Sequence, residues 1–395
     1  MSFEYNRQIA ALKPSASMVL MAKAKAMKAE DPSIIDLAGG EPDFDTPDRI
    51  TMEAVRQLAK GYTHYTVGPG LPELRAGIAK KLNDENGCSY SPDGVIVTPG
   101  AKYAIYLAVR ALVNPGDEVL YLNPSWVSYI SIIEASGAVP VGIDLDYEKD
   151  YRLELSALEA KATDRTKAII LNYPNNPTCK LLHADDFAAL KAFLQSHPDV
   201  FVISDEIYER IRYDGMETIS PAADPELADR VITVNGFSKS VAMTGWRCGY
   251  LAASVETAKI IYKLFQHTLS CVSGFIQKSA VVALTCQEEI EAMRAQFEKR
   301  RDLFADALNA IPGVECRKPE GAFYAWVYFD IPGMDSSAVA DFILNRAKVV
   351  GVPGIAYGET GRSCMRFSFA ASDEALKQAA ENIAKAMEEY RNGNL

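Results

Sequence analysis

From Asp48 onward the apolar positions of the chain alternate between two periods. Segments with apolar residues three to four apart predict helices with one buried face: Asp48 to Lys60, Pro72 to Asn86, Ala101 to Val113, Trp126 to Ala135 and Asp185 to Ser196. Between them lie short runs rich in Val, Ile and Leu, namely VIVTPG, DEVLYLNP, KAIILNYP, VFVISDE, RVITVNG and RCGYLAA. Runs this apolar predict strands covered on both faces, and their alternation with helices predicts a mostly parallel sheet flanked by helices. Ahead of this region, Ser17 to Glu30 reads as an Ala/Met/Lys helix and Ile34 to Leu37 as a short strand, followed by the loop Gly39-Gly40-Glu41-Pro42. The alternation fades after about Ala283, where a charged helical segment from Gln287 to Leu308 leads elsewhere. Beyond it come a strand in GAFYAWVYFD, a helix from Ser336 to Ala347, a strand in CMRFSFA and a closing helix from Asp373 to Tyr390. The expectation is an α/β fold with a large unit over residues 47–285. A smaller C-terminal α/β unit spans residues 286–395, with the N-terminal arm, residues 1–46, packed on it. No internal repeat or low-complexity stretch interrupts the pattern.

Composition narrows the function classes. The 395 residues, 48% hydrophobic, can bury a large core. The net charge of -11, with no local basic cluster, argues against nucleic acid or an anionic membrane as partner. The seven cysteines stand apart, without a CxxC pair, so neither a zinc site nor a disulfide framework is indicated. No apolar run approaches the roughly 18 residues of a membrane helix, and MSFEYNRQIAALKPSAS lacks a signal-peptide core. A reduced, cytoplasmic setting is expected.

Ligands of open α/β sheets sit beyond the carboxyl ends of the strands, so unusual polar residues there are candidates for chemistry. In VFVISDEIYE, Asp205 ends an apolar strand and Tyr208 follows three residues later. A buried carboxylate at such a place needs a partner, although a helix-capping aspartate is the commoner reading. VITVNGFSKSVAMTGWRCGY sets Lys239 just after a strand and Arg247 eight residues on. A lysine drawn toward the interior loses proton affinity and becomes a usable amine nucleophile; taken singly it would be a solvated loop lysine. In VIVTPGAKYAIYLAV a strand runs through Thr98-Pro99-Gly100 into a helix, whose free N–H groups at Gly100, Ala101 and Lys102 can hold a phosphate. Plain turn geometry is the alternative there. Trp126, after DEVLYLNP, offers an indole to an aromatic ring or to the core. In LNYPNNPTCK, Asn175 and Asn176 stand between Pro174 and Pro177, which restrict the backbone while an amide projects to the same edge.

LAGGEPDFDTP, YTVGPGLPELR, PSWVSY, NYPNNPT, SDEIYE, SKSVAMTGWRCGY and MRFSFA, in this order and spacing, resemble the class I (fold type I) pyridoxal-phosphate aminotransferases. Within that family the chain is most similar to the bacterial aspartate aminotransferase branch, which also holds prephenate, alanine and aromatic aminotransferases. The resemblance runs from about Lys13 to the end. It implies pyridoxal 5′-phosphate as cofactor, an L-amino acid and a 2-oxo acid as substrates, a ping-pong reaction and no metal. It further implies that Lys239 is covalent anchor and general base, and that Asp205 pairs with the pyridine nitrogen. Asn176 and Tyr208 would bond the ring oxygen, Trp126 would stack on the ring, and Arg247 with residues 100–102 would hold the phosphate. Arg366 would grip the substrate carboxylate, with Gly40 closing over it. Tyr65 would reach the phosphate of a neighbouring subunit, so a homodimer with shared active sites is implied.

Three departures from the family pattern affect the substrate. Lys102 follows the Gly-x-Lys spacing of relatives that handle acidic substrates, which favours an aspartate/2-oxoglutarate pair. Yet NPTCK puts Cys179 where glycine is usual, and HTLSCVSGFIQ differs from the aspartate-specific pattern. Gly236 lacks a serine that relatives aim at the phosphate, leaving Ser238 as a substitute. Alanine, aromatic amino acids, methionine and prephenate remain open, as does a cysteine-sulfur β-lyase on the same fold.

Overall fold

The structure is a computed structural model that describes residues 3–14, 24 and 26–393. Of the helix expected from Ser17 to Glu30, residues 17–23 and 25 lie outside the described residues, while 24 and 26–30 are helical. A two-residue strand, β1 (Ile35–Asp36), follows.

The large sheet is built from β2 (Val95–Thr98), β3 (Glu118–Asn123), β4 (Val139–Asp144), β5 (Thr166–Asn172), β6 (Phe201–Asp205), β7 (Val231–Gly236) and β8 (Gly249–Ala252), in the order β2-β8-β7-β6-β5-β3-β4. β3 to β7 run parallel; helices Ser128–Ala135, Leu155–Glu159 and Ala184–Ser196 lie in the connections from β3 to β6, and only short 3-10 turns lie between β6 and β7. β8 is antiparallel to both of its neighbours, β2 and β7. The short segment between β7 and β8 holds only turns, and the strand returns antiparallel beside β7. That return keeps the whole connection, with Lys239 and Arg247 in it, at one edge of the sheet.

Successive residues of the buried strands face opposite sides. Val95, Val97, Ile169, Leu171 and Val202 enter one core, Ile96, Ile170, Ile203 and Ile232 the other. The edge strand β4 is not evident in the sequence: VPVGID carries Pro140 and Gly142 and is mostly part-exposed, so it lacks the apolar run that marks its neighbours. Helices Val255–Thr268 and Gly274–Ala283 are further additions to the expected elements. The helix expected from Trp126 begins at Ser128, which leaves Trp126 in the loop before it.

The 23-residue helix Gln287–Asn309 leads to the second sheet. There β9 (Val314–Cys316), β10 (Tyr324–Phe329), β12 (Val352–Pro353) and β13 (Cys364–Ser368) form an antiparallel sheet in the order β12-β13-β10-β9. β11 (Val349–Val350) pairs in parallel with β1. Phe297, Phe304, Phe323, Phe367, Leu376 and Ile383 fill a separate core beneath this sheet, and Leu37 joins it.

Candidate active site

Where the carboxyl ends of β5, β6 and β7 meet β10 and β13, a cavity of about 320 Å³ opens. Gly40, Ala101, Lys102, Trp126, Asn176, Asp205, Tyr208, Ser238, Lys239, Arg247 and Arg366 all line it. The candidates read from widely spaced segments therefore converge, with two exceptions: Gly100, which adjoins the lining residue Ala101 without lining the cavity itself, and Tyr65. Tyr65 is 91% exposed and stands away from the cavity of its own chain.

Asp205 ends β6 opposite Val234 of β7 and is buried. Burial pushes its carboxyl up to about 6, against the lowering effect of the Tyr129 hydroxyl, which donates to Oδ2 at 2.7 Å, the Ile207 N–H and the nearby Lys239 charge. A cationic N–H in the cavity would complete this carboxylate's environment. Lys239 reaches in from the β7–β8 connection, its Nζ donating to the Gly40 carbonyl at 2.5 Å. Although water can reach part of it, protein surrounds the ammonium: burial pulls it down to about 8, with Glu41 opposing and Arg366 and Arg247 reinforcing the fall. An amine so placed keeps roughly a tenth of its population neutral at pH 7, far more than an ordinary lysine, and that fraction can act as base or nucleophile.

Gly100 precedes the helix Ala101–Leu112 with φ +84, and a Cβ there would stand 2.5 Å from Arg247 Nη2. Only glycine allows the guanidinium this close to the free N–H groups of the helix start. Arg247 donates to the carbonyls of Thr244 at 2.9 Å and Pro99 at 3.4 Å and has no carboxylate partner among the described residues. Helix terminus and arginine together form an anion cradle. Gly236 is explained by packing: a Cβ there would meet Gly249 Cα at 2.8 Å, so the close approach of β7 and β8 excludes a serine, while Ser238 lines the cavity. Lys102 Nζ lies 4.8 Å from the Trp126 ring centroid, and burial followed by Arg247 lowers its pKa.

The Asn pair divides its labour. Asn175 Oδ1 accepts from the N–H and hydroxyl of Thr178, at 3.0 and 2.9 Å, and so serves the loop itself. Asn176 Oδ1 accepts from Arg366 Nη1 at 3.0 Å. Arg366, buried on β13, also donates from Nη2 to the Ala38 carbonyl at 2.8 Å. Its Nε has no hydrogen-bond partner among the described residues, a donor that a carboxylate would satisfy. Its guanidinium carbon stands 4.2 Å from the Tyr324 ring centroid and 5.2 Å from that of Tyr357.

Four residues here escape a reading of the sequence: Tyr129, Asn172, Tyr324 and Tyr357. Asn172 ends β5, donates to the Asp205 carbonyl at 2.9 Å and accepts the Asn176 N–H at 2.9 Å, locking two candidates together. Its place at a strand end is a usable signal. The three tyrosines sit in apolar segments and read as core. Cys179 is buried at φ +62, and its thiol donates to the Tyr324 carbonyl at 3.0 Å.

A base of lowered pKa, a buried carboxylate awaiting a cation, an anion cradle and an indole form a set that fits a phosphorylated aromatic carbonyl compound with a protonated ring nitrogen. The profile of the family described as aminotransferase class I and II matches residues 32–383. The aspartate aminotransferase of Musicola paradisiaca is 42% identical over 381 residues, covering 95% of this chain and 94% of that one. A probable aspartate/prephenate aminotransferase of Aquifex aeolicus is 41% identical over 390 residues, covering 97% and 98%. The solved structure of the aspartate aminotransferase from Thermus thermophilus with maleate matches with a TM-score of 0.92 at 35% identity, over 98% of this chain and 100% of that one.

Proposed function

The chain belongs to the class I and II aminotransferases, and from that membership we propose the cofactor, residues and substrates through which it moves an amino group between an L-amino acid and a 2-oxo acid. The cofactor is pyridoxal 5′-phosphate, which when bound supplies an electron sink for the pair left as the substrate α-proton departs. Arg247, the helix-start N–H groups behind Gly100, including those of Ala101 and Lys102, and the Ser238 hydroxyl hold its phosphate. Asp205 keeps the ring nitrogen protonated, Trp126 covers one ring face, and Tyr208 and Asn176 Nδ2 donate to the ring oxygen. Lys239 Nζ is the covalent anchor and the base that takes the α-proton and returns it in each half of a ping-pong cycle. Arg366 holds the substrate α-carboxylate as a fork, and the Gly40 backbone closes over it. The observation that carries this reading is Lys239, its ammonium lowered to about 8, in one cavity with Asp205 and Arg366.

For the substrate pair, Lys102 is the guide. It lines the cavity beside Trp126 with no carboxylate partner among the described residues, which suits the distal carboxylate of aspartate or 2-oxoglutarate. The Thermus relative was solved with maleate, a small dicarboxylate, which is in keeping with this, and the name of the Aquifex relative favours prephenate as a second acceptor. The test is the visible absorbance of the holoenzyme mixed in turn with aspartate, glutamate, alanine and phenylalanine. A band that converts with aspartate and returns on adding 2-oxoglutarate or prephenate supports the reading. Release of pyruvate and ammonia from a sulfur amino acid, with the band kept and no 2-oxo acid needed to restore it, would replace it with a β-lyase.

The exposed Tyr65, together with the helix Arg7–Ala11, which buries none of its residues, supports a homodimer with shared sites in which Tyr65 completes the partner's phosphate cradle. Residues 47–285 would act as the cofactor-binding unit, and 286–395 with 1–46 as the substrate-side unit. Among the described residues no helix is long and apolar enough to cross a membrane, and a cytoplasmic location is the natural setting for these substrates.

A further inference from the structure

Arg366 and Tyr208 serve opposite ends of the reacting centre, one the substrate carboxylate and the other the cofactor ring oxygen, and a single side chain touches both. Tyr324 of β10 pairs with Ser368 of β13, and Arg366 pairs with Trp326. Tyr324 and Arg366 are thus diagonal neighbours on the same sheet face, which puts the phenol ring under the guanidinium at 4.2 Å. The Tyr324 hydroxyl lies 2.9 Å from the Tyr208 hydroxyl, and that is the one hydrogen bond either phenol makes among the described residues.

Two neutral phenols sharing a bond have one donor and one acceptor, and the choice decides where the second proton goes. Burial raises both phenols, Tyr208 well above its ordinary value, while the Arg366 charge pulls Tyr324 back. The more acidic phenol is the better donor. The guanidinium lies over the Tyr324 ring and not over that of Tyr208, which assigns the donor role to Tyr324 and leaves the proton of Tyr208 to point away from it, into the cavity both residues line. The Cys179 thiol, bonded to the Tyr324 carbonyl, fixes the strand backbone from behind.

We propose that Tyr324 is a positioning residue: it aims the Tyr208 proton at the cofactor ring oxygen and, through its ring face, ties that hydrogen bond to carboxylate binding at Arg366. The inference rests on the cofactor reading above. Its test is the substrate-free holoenzyme, whose visible absorbance is followed against pH in wild type, Tyr324→Phe, Tyr208→Phe and the double variant. Weaker hydrogen bonding leaves the ring oxygen more basic, so the midpoint in Tyr324→Phe should rise by about half a unit, the worth of a modest hydrogen bond. Because the ring under Arg366 is kept, KM for the amino donor should stay within about two-fold, whereas Tyr324→Leu should raise it about ten-fold. The double variant should titrate like Tyr208→Phe alone. A bound band with an unmoved midpoint in Tyr324→Phe, or a shift that persists on the Tyr208→Phe background, overturns this inference alone. Absence of any band in the wild type overturns the cofactor reading and this inference with it.

Discussion

Asp205 and Glu206 are consecutive buried carboxyls at the end of one strand, and they face opposite sides of the sheet. Asp205 meets Tyr129 and Lys239 at the cavity, and its carboxyl stands at about 6. Glu206 points into the other core, where Oε1 accepts from Ser204 at 2.9 Å and Ser220 at 2.7 Å; burial and the neighbouring Glu209 charge push it up to about 7. Lys81 and Asn86 bond Glu209 rather than Glu206, and Glu206 Oε2 has no hydrogen-bond partner among the described residues. Both carboxyls are displaced by the same desolvation, so a perturbed acid by itself does not mark a site. What separates the two regions is the company: a cavity, a base and an anion cradle on one side, packed side chains on the other.

The largest effects should therefore fall on the cavity side. Lys239→Ala should lower turnover by at least about 10,000-fold, since both anchor and base are lost, while thermal unfolding of the apoprotein changes little. Reducing the holoenzyme with borohydride and weighing the protein checks it: a cofactor adduct retained in the variant would remove Lys239 from the proposed role. Asp205→Asn should follow, with turnover down on the order of 100- to 1,000-fold, from the loss of about 3–4 kcal/mol of a buried charge pairing. A loss of less than ten-fold would make Asp205 no more functional than its neighbour.

Much of this geography was legible in the chain, because the large sheet obeys one rule repeated: apolar strand, polar residue at its carboxyl end, helix. Asp205, Asn176, Lys239 and Arg247 stand where that rule points, and the structure brings them together. The direction of β8 was not legible, since its apolar run is the same whichever way it pairs. Nor were Tyr129, Tyr324 and Tyr357, whose apolar neighbours make them look like core until a helix start, a strand register and a 3-10 turn respectively set them against Asp205 or Arg366. Glu206 shows the converse: SDE spells two acids side by side, and only strand alternation tells which one faces the cavity.

On the far side of β6, Glu206→Gln should leave turnover within about two-fold and change stability in a pH-dependent way. The folded carboxyl titrates at about 7 against an ordinary 4.5, so the native state holds a proton that the unfolded chain has released between those values. Stability from this group is full below about 4.5 and declines as pH rises through about 7, by on the order of 3 kcal/mol. The glutamine, always neutral, escapes the decline. Its Tm relative to wild type should thus be higher at pH 8 than at pH 5; a difference that does not change with pH would mean Glu206 is ionised in the fold.

The smallest effect belongs to the seam between the two regions, at Cys179. Its carbonyl accepts the N–H groups of Glu320 at 3.1 Å and Gly321 at 3.0 Å, and its thiol bonds the Tyr324 carbonyl, so the Asn176 loop is held to the second sheet here. The residue does this at φ +62, where a Cβ costs about 1 kcal/mol that glycine avoids. Cys179→Gly removes that strain but also a buried thiol and its contacts, worth about 1 kcal/mol, so the two terms nearly cancel. Cys179→Ala keeps the strain and loses the thiol. Chemical denaturation should accordingly place the glycine variant within about 0.5 kcal/mol of wild type and the alanine variant about 1 kcal/mol below it. If the alanine variant instead matched wild type, the thiol contact would be contributing nothing, and the backbone of Tyr324 would be held by its strand alone.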